Sequence, residues 1–94
     1  MVIGACLLHL YLPGSMSLKD KRSILRPILK QVRREFEVAA AEVGSQDVWQ
    51  SAEMAIVTVA NDASRVYRVL DKTVDWIEVH HPHVQILSLE TELR

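Results

Sequence analysis

The sequence predicts an α+β sandwich with the element order β-α-β-β-α-β in 94 residues. Three observations predict it. Two stretches, around Leu25–Val32 and Val66–Ile77, carry apolar residues at the i, i+3, i+4, i+7 spacing of an amphipathic helix. Four further stretches read as strands by their apolar runs or alternation. Clusters of Pro, Gly, Ser, Asn and Asp punctuate the chain between most of them.

The elements follow in order. Val2 to Leu12 is apolar nearly throughout, as befits a central strand covered in part on both faces. Pro13-Gly14-Ser15 ends it with turn chemistry. Ser17 followed by Asp20 reads as a capping box, with Asp in place of the usual Glu or Gln. The first helix then runs from Leu18 to Glu35, with a bend at Pro27, whose ring removes one intrahelical hydrogen bond. Phe36 to Val43 alternates loosely and is expected to be a strand, with a helix as the rival because Ala and Glu favour helices. Gly44 to Asp47 is a loop, and Ala52 to Ala60 a strand rich in β-branched residues. Asn61-Asp62 supplies the cap of a second helix that ends near Val79. His80-His81-Pro82 turns the chain into a last strand, Val84 to Leu93, with Val84, Ile86 and Ser88 on one face.

Six elements in so short a chain make a single domain, residues 1–94, since typical domains run to about 100–150 residues. Two right-handed crossovers give the split β-α-β, or ferredoxin-like, sandwich: a four-stranded antiparallel sheet with two helices on one face. The apolar share of 49% excludes disorder. One cysteine, Cys6, excludes an internal disulfide framework and suits a reducing compartment. Val2–Leu12 lacks a preceding Lys or Arg and is far short of the roughly 20 residues that span a bilayer. The expectation is a cytoplasmic protein with no membrane role.

The residues carry a resemblance. Ser17-Leu18-Lys19-Asp20-Lys21-Arg22-Ser23, Phe36 to Val43, and Gln46-Asp47-Val48-Trp49-Gln50 together resemble the YlxP-like bacterial family, over nearly the whole chain. The resemblance implies the ferredoxin-like fold. That family is of uncharacterised function, so the resemblance implies no activity and no catalytic residue. Its genes often sit beside those for transcription and translation factors, which points by association to RNA or the ribosome.

Charge gives the main functional signal. The net charge of −1 hides an asymmetry: Lys19 to Arg34 holds seven of the eleven basic residues and one acid, so the segment is +6 and the remainder −7. Lys19, Arg22, Arg26, Lys30 and Arg33 step by three or four residues and share a helical stripe, with Lys21 and Arg34 beside it. Arg65, Arg68 and Lys72 repeat the spacing on the second helix. Clustered cations of this kind suit a phosphate backbone, with the alternative that the stripe is a solvated helix face or is paired off by acids such as Asp71 and Asp75.

The other candidates are weaker. The sheet's uncovered face offers only His9 and Tyr11 as aromatics, unlike the stacking sheets of RNA-binding domains on this fold. Its apolar character points instead to a partner, most simply a second copy, with His9, Tyr11 and Trp49 at the protein interface. Trp49 is alternatively a plug for the edge of a small core. The loop Gly14–Lys19 reads as a capped helix start. His80, His81 and His83 are close in sequence, yet adjacent imidazoles diverge and Pro82 marks a turn, so no metal site is assigned. Cys6 and His9 have opposite strand parity, and no catalytic residues or cofactors are assigned. The leading expectation is a non-enzymatic, homodimeric binding protein that contacts RNA or the ribosome. The alternative is a protein-interaction or assembly module with no nucleic-acid role.

Overall fold

A computed structural model describes residues 1–94 as β1 (Val2–Tyr11), α1 (Leu18–Glu35), β2 (Ala39–Gly44), β3 (Ser51–Ala60), α2 (Ala63–His80) and β4 (Gln85–Leu93). The sheet is antiparallel in the order β2-β3-β1-β4, which is the ferredoxin-like arrangement. The central strands pair without interruption from Val2–Ala60 to Tyr11–Ser51. Neither helix is long and apolar enough to cross a membrane.

Alternation decides which residues the helices cover. Cys6, Leu8 and Leu10 of β1 meet Ala52, Met54 and Ile56 of β3 in the core. Leu25, Ile28 and Val32 of α1 and Val66, Leu70, Val74 and Ile77 of α2 close it from above. Gly4 sits under α2, where an added Cβ would lie 2.1 Å from Val66 Cγ1. The other parity, Ile3, Leu7, Val57 and Val59, forms the open face and stays partly or largely exposed.

Local chemistry sets the helix ends. Ser17 Oγ accepts from the Asp20 N–H at 3.0 Å, and the Asp20 carboxylate accepts from the Met16 N–H at 2.9 Å. The box therefore closes one residue earlier than the usual reciprocal bond. Asp62 caps α2, accepting from the Arg65 N–H at 2.9 Å and from Ser64 Oγ at 2.8 Å. Those bonds, the backbone one foremost, hold its carboxyl below the usual range. α1 passes unbroken through Pro27, which lies on its exposed side.

Two strand expectations change. β2 starts at Ala39 rather than Phe36, because the Phe36 N–H still donates to the Val32 carbonyl and the ring packs edge-on to Trp76 at 6.2 Å. Thr58 Oγ1 donates to the Glu37 carbonyl, easing the chain into the sheet. In β4 a bulge opposite His9 and Leu10 leaves Leu87 unpaired. The face therefore switches: Leu89, not Ser88, shares the helix side with Ile86.

Candidate nucleic-acid interface

The flanks of α1 decide where its cations point. Lys21, Leu25, Ile28 and Val32 face the core. Gln31 Oε1 lies 3.0 Å from His81 Nε2 at the end of α2, so the flank Asp20, Ile24, Gln31 faces the second helix and Pro27 borders it on the exposed side. Arg33 lies on the opposite flank and reaches β2. Its Nε donates to the Ala40 carbonyl at 3.0 Å, and Nη2 donates to the same oxygen. Lys19, Arg22, Arg26, Lys30 and Arg34 remain as an exposed ridge. Shallow grooves of about 530 Å³ beside Lys19, Arg22 and Arg26, and about 400 Å³ beside Arg26, Lys30 and Arg34, run along it.

Two of the expected cations, Arg33 of the stripe and Lys21 beside it, are engaged by the protein itself. Lys21 is only 2% exposed. Its ammonium donates to the carbonyls of Ser45 and Val48, the latter at 2.9 Å, and lies 2.8 Å from Glu42 Oε2. That last contact pairs the charges but is off the axis of a hydrogen bond, which leaves Oε2 with no other partner. Lys21 thus ties α1 to the β2–β3 loop and cannot meet a ligand. Arg33 is held by a backbone carbonyl, so its charge stays on the surface while its fork is occupied.

The exposed cations are not neutralised by acids. None of Lys19, Arg22, Arg26, Lys30, Arg65, Arg68 and Lys72 has a carboxylate within 4.0 Å. Arg34 has only its exposed neighbour Glu35, at 3.6 Å. On α2, Arg65 and Lys72 share a flank with Val69 and Trp76, and Trp76 touches Phe36 at the end of α1. Asp71 and Glu78 fall on the other flank, and Asp75 lies on the outward face with Arg68. The α1 and α2 stripes therefore lie on one side of the molecule as two ridges, divided by the seam around Gln31.

The remaining candidates fall elsewhere. His9 and Tyr11 lie on the open sheet face, with His9 Nδ1 3.7 Å from Glu53. Trp49 is 52% exposed in the loop before β3, so it is not a core plug. The Met16 N–H and the Asp20 N–H at the start of α1 are spent on its own caps. His80 stacks on Trp76 at 4.4 Å. Burial, and then the charges of His83 and His80, hold His81 below the usual imidazole range. Cys6 is buried on the helix side, away from His9, and desolvation raises its thiol pKa. Sequence reasoning missed the capture of Lys21 and Arg33, for which no local signal exists.

This basic helical layer on an antiparallel sheet defines a small ferredoxin-like protein. The chain matches the family described as "Protein of unknown function (DUF503)" over residues 3–91, and it belongs to that family. It is similar to the uncharacterized protein YlxP of Bacillus subtilis (strain 168), with 32% identity over 76 residues, 81% of this chain and 82% of that protein. A de novo designed protein, Foldit4, shares the fold alone, with a TM-score of 0.54 and 11% identity over 100% of this chain and 97% of its own.

Proposed function

We propose that this protein is a non-enzymatic binding protein that holds RNA, free or within the ribosome, against the α1 ridge. One observation carries the reading: Lys19, Arg22, Arg26 and Lys30 stand exposed in a row with no acid beside them. At about 1.5 Å rise per residue, Lys19 to Arg34 spans roughly 22 Å, enough to follow several consecutive phosphates. Arg65, Arg68 and Lys72 add a second ridge for a bent or wider ligand. Phosphate neutralisation of this kind carries little sequence preference.

The test is binding of fluorescein-labelled RNA by anisotropy. Replacing Arg22, Arg26 and Lys30 together with Glu is expected to weaken binding by about 100-fold at low salt, with the circular dichroism spectrum preserved. Unchanged affinity in a folded triple variant overturns the reading.

A second reading, assembly through the sheet, is supported by one specific feature. Ile3, Leu7, Val57 and Val59 leave the open face apolar, with a hollow of about 640 Å³ where Met1, Ile3, Val57 and Val59 meet. Two copies placed face to face would bury it. Sedimentation equilibrium with and without RNA tests this. An RNA-independent dimer that Leu7→Glu dissociates is the expected outcome, and a monomer at all concentrations rejects it.

A further inference from the structure

We propose that Trp49 is a base-stacking platform at the N-terminal end of the α1 ridge, and that the ligand is single-stranded RNA with at least one unstacked base. This rests on the reading of the ridge as a phosphate-binding surface. It adds what that reading lacks, a means of telling a single strand from a duplex.

The starting point is the cost of the residue where it stands. Trp is the largest side chain available, and a water-exposed indole forgoes the burial that normally stabilises it. The two tryptophans differ here. Trp76 packs against Phe36, His80 and His81, whereas Trp49 is half exposed and takes part in no aromatic pair. It is also firmly mounted. On one side Lys21 holds the carbonyls of Ser45 and Val48. On the other the Leu12 N–H donates to the Gln50 carbonyl at 2.9 Å. Within the loop the Val48 N–H donates to the Ser45 carbonyl at 3.1 Å, with Ser45 itself in the left-handed region at φ 57°. An aromatic fixed on both sides loses little freedom when it stacks.

Asp47, Val48 and Gln50 share a shallow hollow with the indole, so the cations that accompany it come from α1. Lys21 leaves the first turns of α1 between Lys19 and Arg22, so its tether fixes the loop at the end of the helix where the ridge begins. Arg22 lies on the β2 flank of α1, the flank of Arg33, and therefore on the side of this loop. A strand lying along the ridge meets phosphate partners from Arg34 back to Lys19 and then an indole face. That combination, a basic track with an aromatic face, is how proteins hold single strands without reading sequence. Tyr67, the other exposed aromatic of the helix side, stands four residues from Asp71 on the acidic flank of α2. The sheet face carries Glu53, Glu90 and Glu92, which repel phosphate.

The experiment compares the full chain with Trp49→Ala, Trp49→Phe and the triple Glu variant of Arg22, Arg26 and Lys30. Each is titrated by anisotropy against a labelled unstructured single-stranded RNA and a blunt duplex RNA of the same length. Trp49→Ala is expected to weaken single-strand binding by about 5- to 100-fold and leave duplex binding within about twofold. Trp49→Phe recovers most of the loss. The triple variant weakens both ligands. If the triple variant loses both while Trp49→Ala changes neither, the ridge stands and the stacking role is overturned; Trp49 then serves something other than RNA. If Trp49→Ala weakens both ligands equally, selectivity for unstacked bases is overturned. If the unaltered protein binds neither RNA, the ridge reading falls and this inference with it.

Discussion

Lys21 shows how one residue changes character with its surroundings. In sequence it belongs to a basic run; in the fold its ammonium is buried against one carboxylate and two carbonyls. A paired buried charge adds little net stability, but removing one partner strands the other. Lys21→Ala is therefore expected to cost about 3–5 kcal/mol in urea unfolding, because Glu42 and two carbonyls lose their partner. The double variant Lys21→Met, Glu42→Leu should recover a large part of that loss, and a double variant as unstable as the single would refute the ion-pair account. Gly4 makes a second case. Its missing Cβ lets α2 approach β1, so Gly4→Ala should cost about 1–3 kcal/mol by overpacking, whereas Gly14→Ala, with nothing within 4 Å, should leave the unfolding midpoint unchanged.

At the scale of elements, the seam between α1 and α2 is held by few groups, and His81 is one of them. Its imidazole bonds Gln31 and lies 5.7 Å from the ring of Trp76. Burial lowers its pKa below the ordinary 6.5, so the fold disfavours the protonated ring. The sign follows from linkage: the unfolded chain takes up the proton first as pH falls through 6.5, and the fold loses stability over that window down to the lowered value. Above it the effect vanishes. Urea midpoints at pH 7.5 and pH 5.0 should therefore fall further apart in the unaltered protein than in His81→Gln, and equal differences would exclude the seam as the source. The same seam keeps the α1 and α2 ridges apart, because the flank between them carries Ile24, Pro27 and Gln31 in place of cations.

For the whole molecule, charge is uneven from one surface to the next. The exposed cations of Lys19–Arg34 and Arg65–Lys72 occupy the helical layer, while Glu53, Glu90 and Glu92 lie on the open sheet face and Asp71 and Glu78 on the far flank of α2. A net charge of −1 therefore hides a local basic ridge on α1 and acids on the sheet face. About four to five phosphate contacts along α1 should give a slope near −3 in log K against log salt for single-stranded RNA, a roughly 60-fold loss between 50 and 200 mM. A flat salt response would show that the local field does not govern binding. The apolar sheet face is a separate device at this scale, and dimerisation through it would place two ridges on opposite outer sides.

The order of elements, both helix spans to within a residue, and the cap at Ser17 were legible in the chain because periodicity and capping act within a few residues of sequence. The candidate ridge was legible for the same reason: helical spacing alone puts Lys19, Arg22, Arg26 and Lys30 together. Tertiary structure decided the rest. β1 and β3 are apolar on both parities, so only the helices' placement chose Leu8 and Met54 for the core and left Leu7 and Val57 outside. The β4 bulge moved Leu89 to the helix side of the sheet edge through its register against β1. Lys21 was withdrawn from the surface by carbonyls 24 and 27 residues away, while Arg33 stays exposed with its fork bonded to the Ala40 carbonyl. By itself the sequence determined a ferredoxin-like domain whose first helix is basic. Which of those cations face water, and that Lys21 ties the loop of Trp49 to the same helix, depends on contacts between distant segments, and no local pattern encodes those.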